Sequence, residues 1–241
     1  MPLRAAVFCL ALGPLAALCA AGVGAQTITD ARFADPTDRY AHGVLGDAIE
    51  WGTLEIDYTE GGSTQTLRVT LPENHVFEDT SPRLWDVTGD GAPEVVVVET
   101  DVYQGGALAV YGAQGKIDET PHIGQRNRWL APVAAADLDG DGVVEIAYID
   151  RPHLAKTLRV WEFKNGRLRH DASVGGLTNH RIGEADIAGG LRTCAEGPEM
   201  ILATANWARL VAVRFDGTEF AATDFGPHEG RDSFARALAC Q

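Results

Sequence analysis

Two copies of an acidic segment, 51 residues apart, divide this chain into repeating units. The first copy begins at Asp86 and the second at Asp137, and each carries Asp or Glu at its first, fifth and ninth positions. Each copy also has a glycine at its fourth and sixth positions. An internal period of about 50 residues indicates a protein built from similar structural units that stack side by side.

Short runs typical of β-strands surround each acidic segment. A β-branched run follows the first copy, at 95–98, and a strand-like run follows the second, at 146–149. After the second copy, the alternating runs 158–163 and 167–174 lie on either side of an Asn-Gly pair. This dipeptide between two alternating runs is a strong hairpin signal. Each unit therefore reads as four short strands: one before the acidic loop, one after it, and a closing hairpin.

Two further units are less regular. The third copy of the pattern, over 177–225, has a predicted strand at 183–186 and a hairpin over 210–225, but Ala188 and Gly190 stand where acids are needed. The unit that comes first in the chain has no acidic loop. Its predicted strands are 40–45, 49–58 and 66–71.

We therefore predict an all-β, β-propeller-like fold with four recognisable four-stranded units in a single domain, residues 26–241. The units are predicted at about 27–75, 76–126, 127–176 and 177–225, followed by a C-terminal tail, 226–241. Only 233–239 has a pattern suited to a helical turn or two. A fifth, poorly marked unit and an irregular β-sandwich are the alternatives.

The first 25 residues have the layout of a secretory signal peptide. Arg4 supplies the positive start, residues 5–21 are almost all apolar, and small residues precede a cleavage site after Ala25. A lipid-anchored start at Cys19 is the alternative, although Leu18 before it is large for that signal. We expect a periplasmic or secreted mature chain with no membrane-spanning segment.

The cysteines also bear on the compartment. Cys9 and Cys19 lie in the predicted signal peptide, which leaves Cys194 and Cys240. Two remaining cysteines usually pair in an oxidising compartment. We predict a disulfide that fastens the C-terminal tail to the last unit; two unrelated thiols are the alternative.

The second acidic loop presents oxygen atoms at alternate positions. Asp137, Asp139, Asp141 and Glu145 supply carboxylates, and Val143 supplies a carbonyl. Carboxylates this close repel one another without a cation, and oxygen-only ligation favours Ca²⁺. The glutamate is at the ninth position and a strand follows, which excludes the helix-loop-helix calcium motif. An ordinary acidic turn is the alternative.

The first acidic loop is a weaker copy of the same site. Its expected ligands are the side chains of Asp86, Thr88, Asp90 and Glu94 and the carbonyl of Ala92. Thr88 brings a neutral hydroxyl in place of a carboxylate, which lowers the expected calcium affinity by about one to two orders of magnitude. We expect one or two structural Ca²⁺ ions.

These loops and their spacing resemble the FG-GAP/VCBS repeats of bacterial exported proteins and of the integrin α-subunit propeller. The resemblance is specific for 83–175, looser for 177–225 and only suggestive for 27–75. It implies propeller blades with a structural Ca²⁺ in the loop between the first two strands. The chain departs from the pattern at Thr88, in the third loop, and in lacking the Phe-Gly and Gly-Ala-Pro signatures at their usual places.

Charge and polar clusters restrict the class of partner. The net charge of −14 argues against nucleic acid and anionic membranes as partners, because both require a basic patch. Polar residues next to predicted strands define a candidate ligand face for an anionic or sugar-like ligand, with Trp129 as a stacking platform. Its residues are Arg126, Arg128, Trp129, His153, His180 and Arg181. Salt bridges between units are the alternative explanation.

Known catalytic patterns are missing from the sequence. It has no Gly-x-Ser-x-Gly elbow, no Ser-x-x-Lys and no paired-histidine zinc motif. We predict an exported calcium-binding repeat protein that is a binding or scaffold module of the cell envelope, with a protein or carbohydrate partner, and not an enzyme. An exported hydrolase and a sugar-binding lectin or adhesin are the alternatives. Arg128, His153, His180 and Glu184 converging on one pocket would favour the hydrolase.

Overall fold

The structure, a computed structural model, describes residues 26–194 and 197–240. The predicted signal peptide, residues 1–25, lies outside the described residues. Within the described ranges, every strand pair is antiparallel. No helix in these ranges is long and apolar enough to cross a membrane.

The first sheet joins the strands of the first two predicted units. Its strands are β1 (Thr27–Thr37), β2 (Glu50–Glu60), β3 (Ser63–Thr70), β4 (His75–Phe77), β5 (Arg83–Trp85), β6 (Glu94–Asp101), β7 (Gly105–Gly112) and β8 (Gly115–Glu119). They lie in the order β1-β2-β4-β6-β7-β8, with β3 beside β2 and β5 beside β6. Phe77 in β4 pairs with Trp51 in β2 and with Glu99 in β6. This short strand makes the two halves one continuous sheet.

The second and third sheets follow in chain order. The second contains β9 (Leu130–Ala136), β10 (Val144–Asp150), β11 (Thr157–Lys164) and β12 (Arg167–Gly175), in the order β12-β11-β10-β9. The third contains β13 (Leu177–Thr178), β14 (Gly190–Cys194), β15 (Gly197–Thr204), β16 (Arg209–Phe215) and β17 (Phe220–Pro227). Its order is β13-β15-β16-β17, with β14 beside β15. A helix, α1 (Arg231–Leu238), comes last.

The central strands are buried on both faces. In β6, Val96 and Val98 enter the core between the first two sheets, whereas Val95 and Val97 enter the core between the two halves of the first sheet. Successive side chains of a strand point to opposite faces, so an uninterrupted apolar run fits a strand covered on both sides.

The same division is repeated along the chain. Ile146 in β10 faces the first sheet, and Ile149 faces the third. In β15, Met200 packs towards the second sheet, and Ile201 packs with Phe234 of α1. Antiparallel sheets stacked face to face, with a core in each gap, are a β-propeller-like arrangement. The predicted all-β, β-propeller-like fold class is confirmed.

Two predicted strands are wrong. Residues 40–45 form a loop, and β1 pairs with β2 instead. The apolar side chains in 40–45 serve the core, since Tyr40 and Val44 are buried there. Residues 183–186 also form no strand: the N–H of Gly183 donates to the carbonyl of Val44. The sheet position expected for 183–186 is taken by β14.

The disulfide between Cys194 and Cys240 is present. Cys194 ends β14 and Cys240 follows α1, so the bond fastens the tail to the third sheet. Arg192 adds a second link, because its guanidinium donates to the carbonyl of Ala237 at 2.8 Å.

We expect the double variant Cys194→Ser, Cys240→Ser to lose about 3 to 4 kcal/mol of unfolding free energy, because a disulfide across 46 residues restricts the unfolded chain. Urea unfolding of the oxidised proteins measures this loss. A reducing agent should destabilise the parent protein and leave the variant unchanged. Equal stability of the oxidised parent and the variant would show that the bond contributes nothing.

We expect Ile146→Val and Ile149→Val each to lower the free energy of unfolding by about 1 kcal/mol, because both side chains are fully buried although they face opposite gaps. Urea denaturation measures both losses. Ile182→Val is the control, since this side chain is 72% exposed and should lose almost nothing. A loss for only one of the two buried positions would contradict packing on both faces of β10.

Candidate functional site

The two acidic loops share one pattern of internal hydrogen bonds. Asp137 accepts hydrogen bonds from the N–H groups of Gly140, at 2.7 Å, and Gly142, at 3.1 Å. Asp86 makes the equivalent bonds in the first loop, at 2.8 and 2.9 Å. Gly140 and Gly142 have φ values of +85° and +87°, which only glycine adopts at low cost. Both loops are therefore the same backbone turn.

A buried glutamate closes each loop at the first residues of the following strand. Glu145 is 2% exposed, and its Oε2 accepts a hydrogen bond from the N–H of Leu138 at 2.8 Å. Burial raises the pKa of Glu145 to about 7; the loop aspartates raise this pKa too, and the Leu138 N–H opposes the change. Burial likewise raises the pKa of Glu94 in the first loop. A carboxylate buried among other acids is stabilised by either a proton or a cation.

Three carboxylates converge in the second loop. Asp137, Asp139 and Glu145 each offer one oxygen, and these oxygens lie within 4.8 Å of one another. This donor set consists of oxygen alone and fits a hard divalent cation such as Ca²⁺. Asp141 is not in the group; its Oδ1 instead accepts a hydrogen bond from the N–H of Val143 at 2.7 Å. Ligation by Asp141 or by the carbonyl of Val143 stays a prediction.

Within the described ranges, no such group of three forms in the first loop. The hydroxyl of Thr88 donates to Oε1 of Glu94 at 3.4 Å, at the position where the second loop has a carboxylate. Asp90 accepts a hydrogen bond from the N–H of Ala92 at 2.8 Å. Metal binding by Asp86 and these four residues stays a prediction.

The second loop also touches the turn between β16 and β17. A Cβ placed on Gly217 in this turn would lie 2.5 Å from Oδ2 of Asp139. Gly217 also has a φ of +83°. The hairpin turn of the third sheet therefore lies against the acidic loop of the second sheet, and glycine is required there for both conformation and space.

A separate cavity of about 300 Å³ opens where the second sheet meets the loops around residues 44 and 182. Its polar and aromatic lining consists of His42, Asn127, Arg128, Trp129, Arg151 and His153. No acidic residue is among the described residues that line it, although the chain has 34 acidic and 20 basic residues. Such a lining favours anions over cations.

Buried partners hold both histidines of the cavity. His42 Nδ1 lies 2.5 Å from Oε1 of Glu78, which is fully buried. His153 Nε2 lies 2.9 Å from Nδ1 of His180, and His180 Nε2 lies 2.8 Å from the carbonyl of Glu184. Burial, with the nearby His180 and His42, lowers the pKa of His153 to about 4. His153 is therefore neutral near pH 7.

A family model described as an FG-GAP-like repeat matches residues 86–148. The matched segment begins at the first acidic loop, contains the second, and ends within β10. Residues 86–148 are an FG-GAP-like repeat. The resemblance found in the sequence is confirmed for this segment.

The chain is also similar to a solved structure, the crystal structure of the exotype rhamnogalacturonan lyase YesX. The TM-score is 0.49 and the sequence identity is 17%. The similar region covers 80% of this chain and 40% of that chain, so this chain spans less than half the length of that protein. No curated protein matches the chain in sequence.

The six residues predicted as a candidate ligand face do not form one surface. Arg128 and His153 line the cavity, and His180 is fully buried behind His153. Arg181 lies over the ring of Trp207, 4.3 Å from its centroid. Arg126 is exposed and is not among the residues that line the cavity.

Trp129 contributes a wall and not an exposed platform. Its side chain is in the core, with the residue 2% exposed, and its indole N–H donates to the carbonyl of Glu78 at 2.8 Å. Its ring is roughly parallel to that of His153, with 6.3 Å between the centroids. With 2% of the residue exposed, the indole offers no open face on which a sugar ring could stack.

Sequence reasoning missed His42 and Glu78. They are 36 residues apart, and His42 lies in a segment predicted as a strand. Glu78 directly follows β4. A glutamate between an apolar residue and an aspartate carries no local signal of a buried histidine partner, so the pair is visible only in three dimensions.

We expect Gly217→Ala to lose more unfolding free energy than Gly62→Ala. Both glycines have nearly the same φ, +83° and +82°, so each substitution has a conformational cost of about 1 kcal/mol. A Cβ at Gly62 meets nothing within 4 Å, whereas one at Gly217 meets Asp139 and should cost at least about 1 kcal/mol more. Urea unfolding with Asp139→Ala as the second arm of a double-mutant cycle measures this contact. Equal losses at both glycines would contradict it.

Proposed function

We propose that this protein is an exported calcium-binding repeat protein that serves as a binding and scaffold module of the cell envelope and does not act as an enzyme. The observation that carries the proposal is the convergence of Asp137, Asp139 and Glu145 within 4.8 Å. The FG-GAP-like repeat over 86–148 supports it as the sequence context of that loop.

Calcium would have a structural role at this position. Asp137 directly follows β9, and Glu145 is the second residue of β10, so an ion between them would join the two strands at their common end. It would also counteract the burial and the repulsion from the loop aspartates, which together raise the pKa of Glu145. Because Asp139 lies against Gly217, the same ion would stabilise the contact with the third sheet.

Two features support export to the periplasm or beyond. The Cys194–Cys240 disulfide suits an oxidising compartment. Residues 1–25 have the composition of a secretory signal peptide. With a net charge of −14, the chain would meet a protein or carbohydrate partner more readily than an anionic surface.

An exported hydrolase is the second candidate. One observation favours it: Arg128 and His153 converge on one cavity, with His180 and the Glu184 carbonyl aligned behind His153. The described lining residues of that cavity, however, include no serine, cysteine or carboxylate that could be a nucleophile. The lining therefore suits ligand binding better than covalent hydrolysis. For the same reason, a sugar-binding lectin fits the cavity better than a hydrolase does.

Removal of calcium with a chelator should lower the melting temperature by about 5 to 10 °C, because an ion that binds only the folded state stabilises it. Asp139→Ala should lower the melting temperature in calcium and abolish the response to the chelator. Asp30→Ala is the matched control, since Asp30 is exposed and makes only a 4.0 Å ion pair with Arg32. It should behave like the parent protein.

Differential scanning fluorimetry measures the melting temperature, and elemental analysis of the purified protein counts the bound ions. An unchanged melting temperature with chelator, together with no bound calcium, would overturn the calcium part of the proposal. An Asp139→Ala variant that keeps its calcium would show that the ion binds elsewhere.

A further inference from the structure

We propose that the cavity beside Arg128 binds small molecules that carry one carboxylate next to an apolar or aromatic body. The juxtaposition of a free guanidinium with exposed apolar side chains carries this inference. It rests on the proposed binding role, for which it names a site and a ligand class.

Arg128 is the cation of the cavity that is available to a ligand. Its NH1 donates to the carbonyl of Asn127 at 2.7 Å, and within the described residues it makes no ion pair. Arg151 is different, since two of its nitrogens bind Asp150 at 2.8 and 3.0 Å. A guanidinium has five N–H donors in a planar fork that matches a carboxylate with two parallel hydrogen bonds.

The acidic groups packed behind the cavity do not cancel this charge. Glu78 is paired with His42, and Asp79 binds Arg83 through two contacts of 2.7 and 2.9 Å. Burial, with help from neighbouring carboxylates, raises the pKa of Glu50 to about 9, so Glu50 is protonated and neutral near pH 7. Each of these three carboxyl groups is therefore paired or protonated.

The charge of the ligand follows from the same residues. A doubly charged phosphate needs more than one free cation. Arg151 is held by Asp150, a carboxylate that it shares with Arg159, and His153 is neutral near pH 7. A single guanidinium matches a singly charged carboxylate.

Apolar side chains form the other wall of the cavity. Leu154 and Ile182 are 63% and 72% exposed, and both line the cavity together with the buried Val44. Large apolar side chains gathered at a concave site mark a place where apolar ligand surface is covered. Trp129 adds an aromatic residue to the lining.

The backbone around the cavity is held in an uncommon conformation. Asn127 and Arg151 have φ values of 55° and 47°, and both line the cavity. Hydrogen bonds fix both residues: the Asn127 N–H donates to the hydroxyl of Tyr40 at 2.9 Å, and the Arg151 N–H donates to the carbonyl of Trp129 at 3.0 Å. Left-handed residues other than glycine persist where the surrounding structure enforces them, and they are concentrated at ligand sites.

Isothermal titration of the mature protein in calcium with benzoate and with benzamide tests the site. Benzamide has nearly the shape of benzoate but no charge. We expect benzoate to bind at least about tenfold more tightly than benzamide, because charge-assisted bonds to Arg128 require the carboxylate. Arg128→Ala should weaken benzoate binding by a similar factor. Arg167→Ala is the matched control, since its 74% exposed side chain pairs with Asp118 away from the cavity.

A second variant covers the apolar wall. Leu154→Asp places a negative charge at an exposed position of the rim, so the fold should be retained and benzoate binding should weaken. Circular dichroism checks that each variant is folded.

Several results would overturn the inference: no benzoate binding at its highest soluble concentration, equal binding of benzamide, or unchanged affinity in Arg128→Ala. Phenyl phosphate binding more tightly than benzoate would also overturn it, because a doubly charged ligand would then be preferred. The chelator experiment on the same sample separates the two proposals. If the protein loses stability without calcium but does not bind benzoate, the proposed function is supported and the proposed carboxylate site is excluded.

Discussion

Apolar surface on both faces of the central strands is the constraint on which the rest of the structure depends. β6 and β10 have no exposed residue, so a sheet that contains either strand must be covered on both sides. Stacking the sheets satisfies this requirement, and helix α1 covers the outer face of β15. The outer strands β8, β12 and β17 have no buried residue, which suits strands at an edge. In the first sheet, the N-terminal half covers one face of β6 and the second sheet covers the other.

The acidic loops lie at the ends of the buried central strands, where the chain reaches the surface. Glu94 is the first residue of β6 and Glu145 the second of β10, so each glutamate is buried at the end of an apolar strand while the aspartates remain at the surface. Asp86 and Asp137 organise the backbone turn of each loop through hydrogen bonds to glycine N–H groups. Among the side chains expected to bind an ion, the two loops differ only at the third position, which is threonine in the first loop and aspartate in the second.

Local patterns predict the elements that depend on neighbours in sequence. The central strands, the hairpin around Asn165, the acidic loops and the C-terminal helix could all be predicted in this way, and the disulfide could be predicted from the two cysteines that remain after the signal peptide. The segments 40–45 and 183–186 could not, because their residues form contacts with distant parts of the chain; Tyr40, for example, meets residue 127. The cavity is hidden for the same reason. Its lining comes from loops around residues 42, 128, 153 and 182, and no sequence window contains more than one side of it.

The short strand β4 has a consequence for how the protein opens. Through Trp51, Phe77 and Glu99 it links β2 to β6, so hydrogen bonding runs without a break from β1 to β8. A repeat protein is usually divisible into modules, each of which exchanges its amide protons on its own. Here the first two modules are joined in one sheet, so we expect the amides of residues 27–119 to gain and lose protection together, and those of the second and third sheets to do so separately. A boundary between hydrogen-bonded modules of this protein therefore lies after β8, and none lies between β1 and β8.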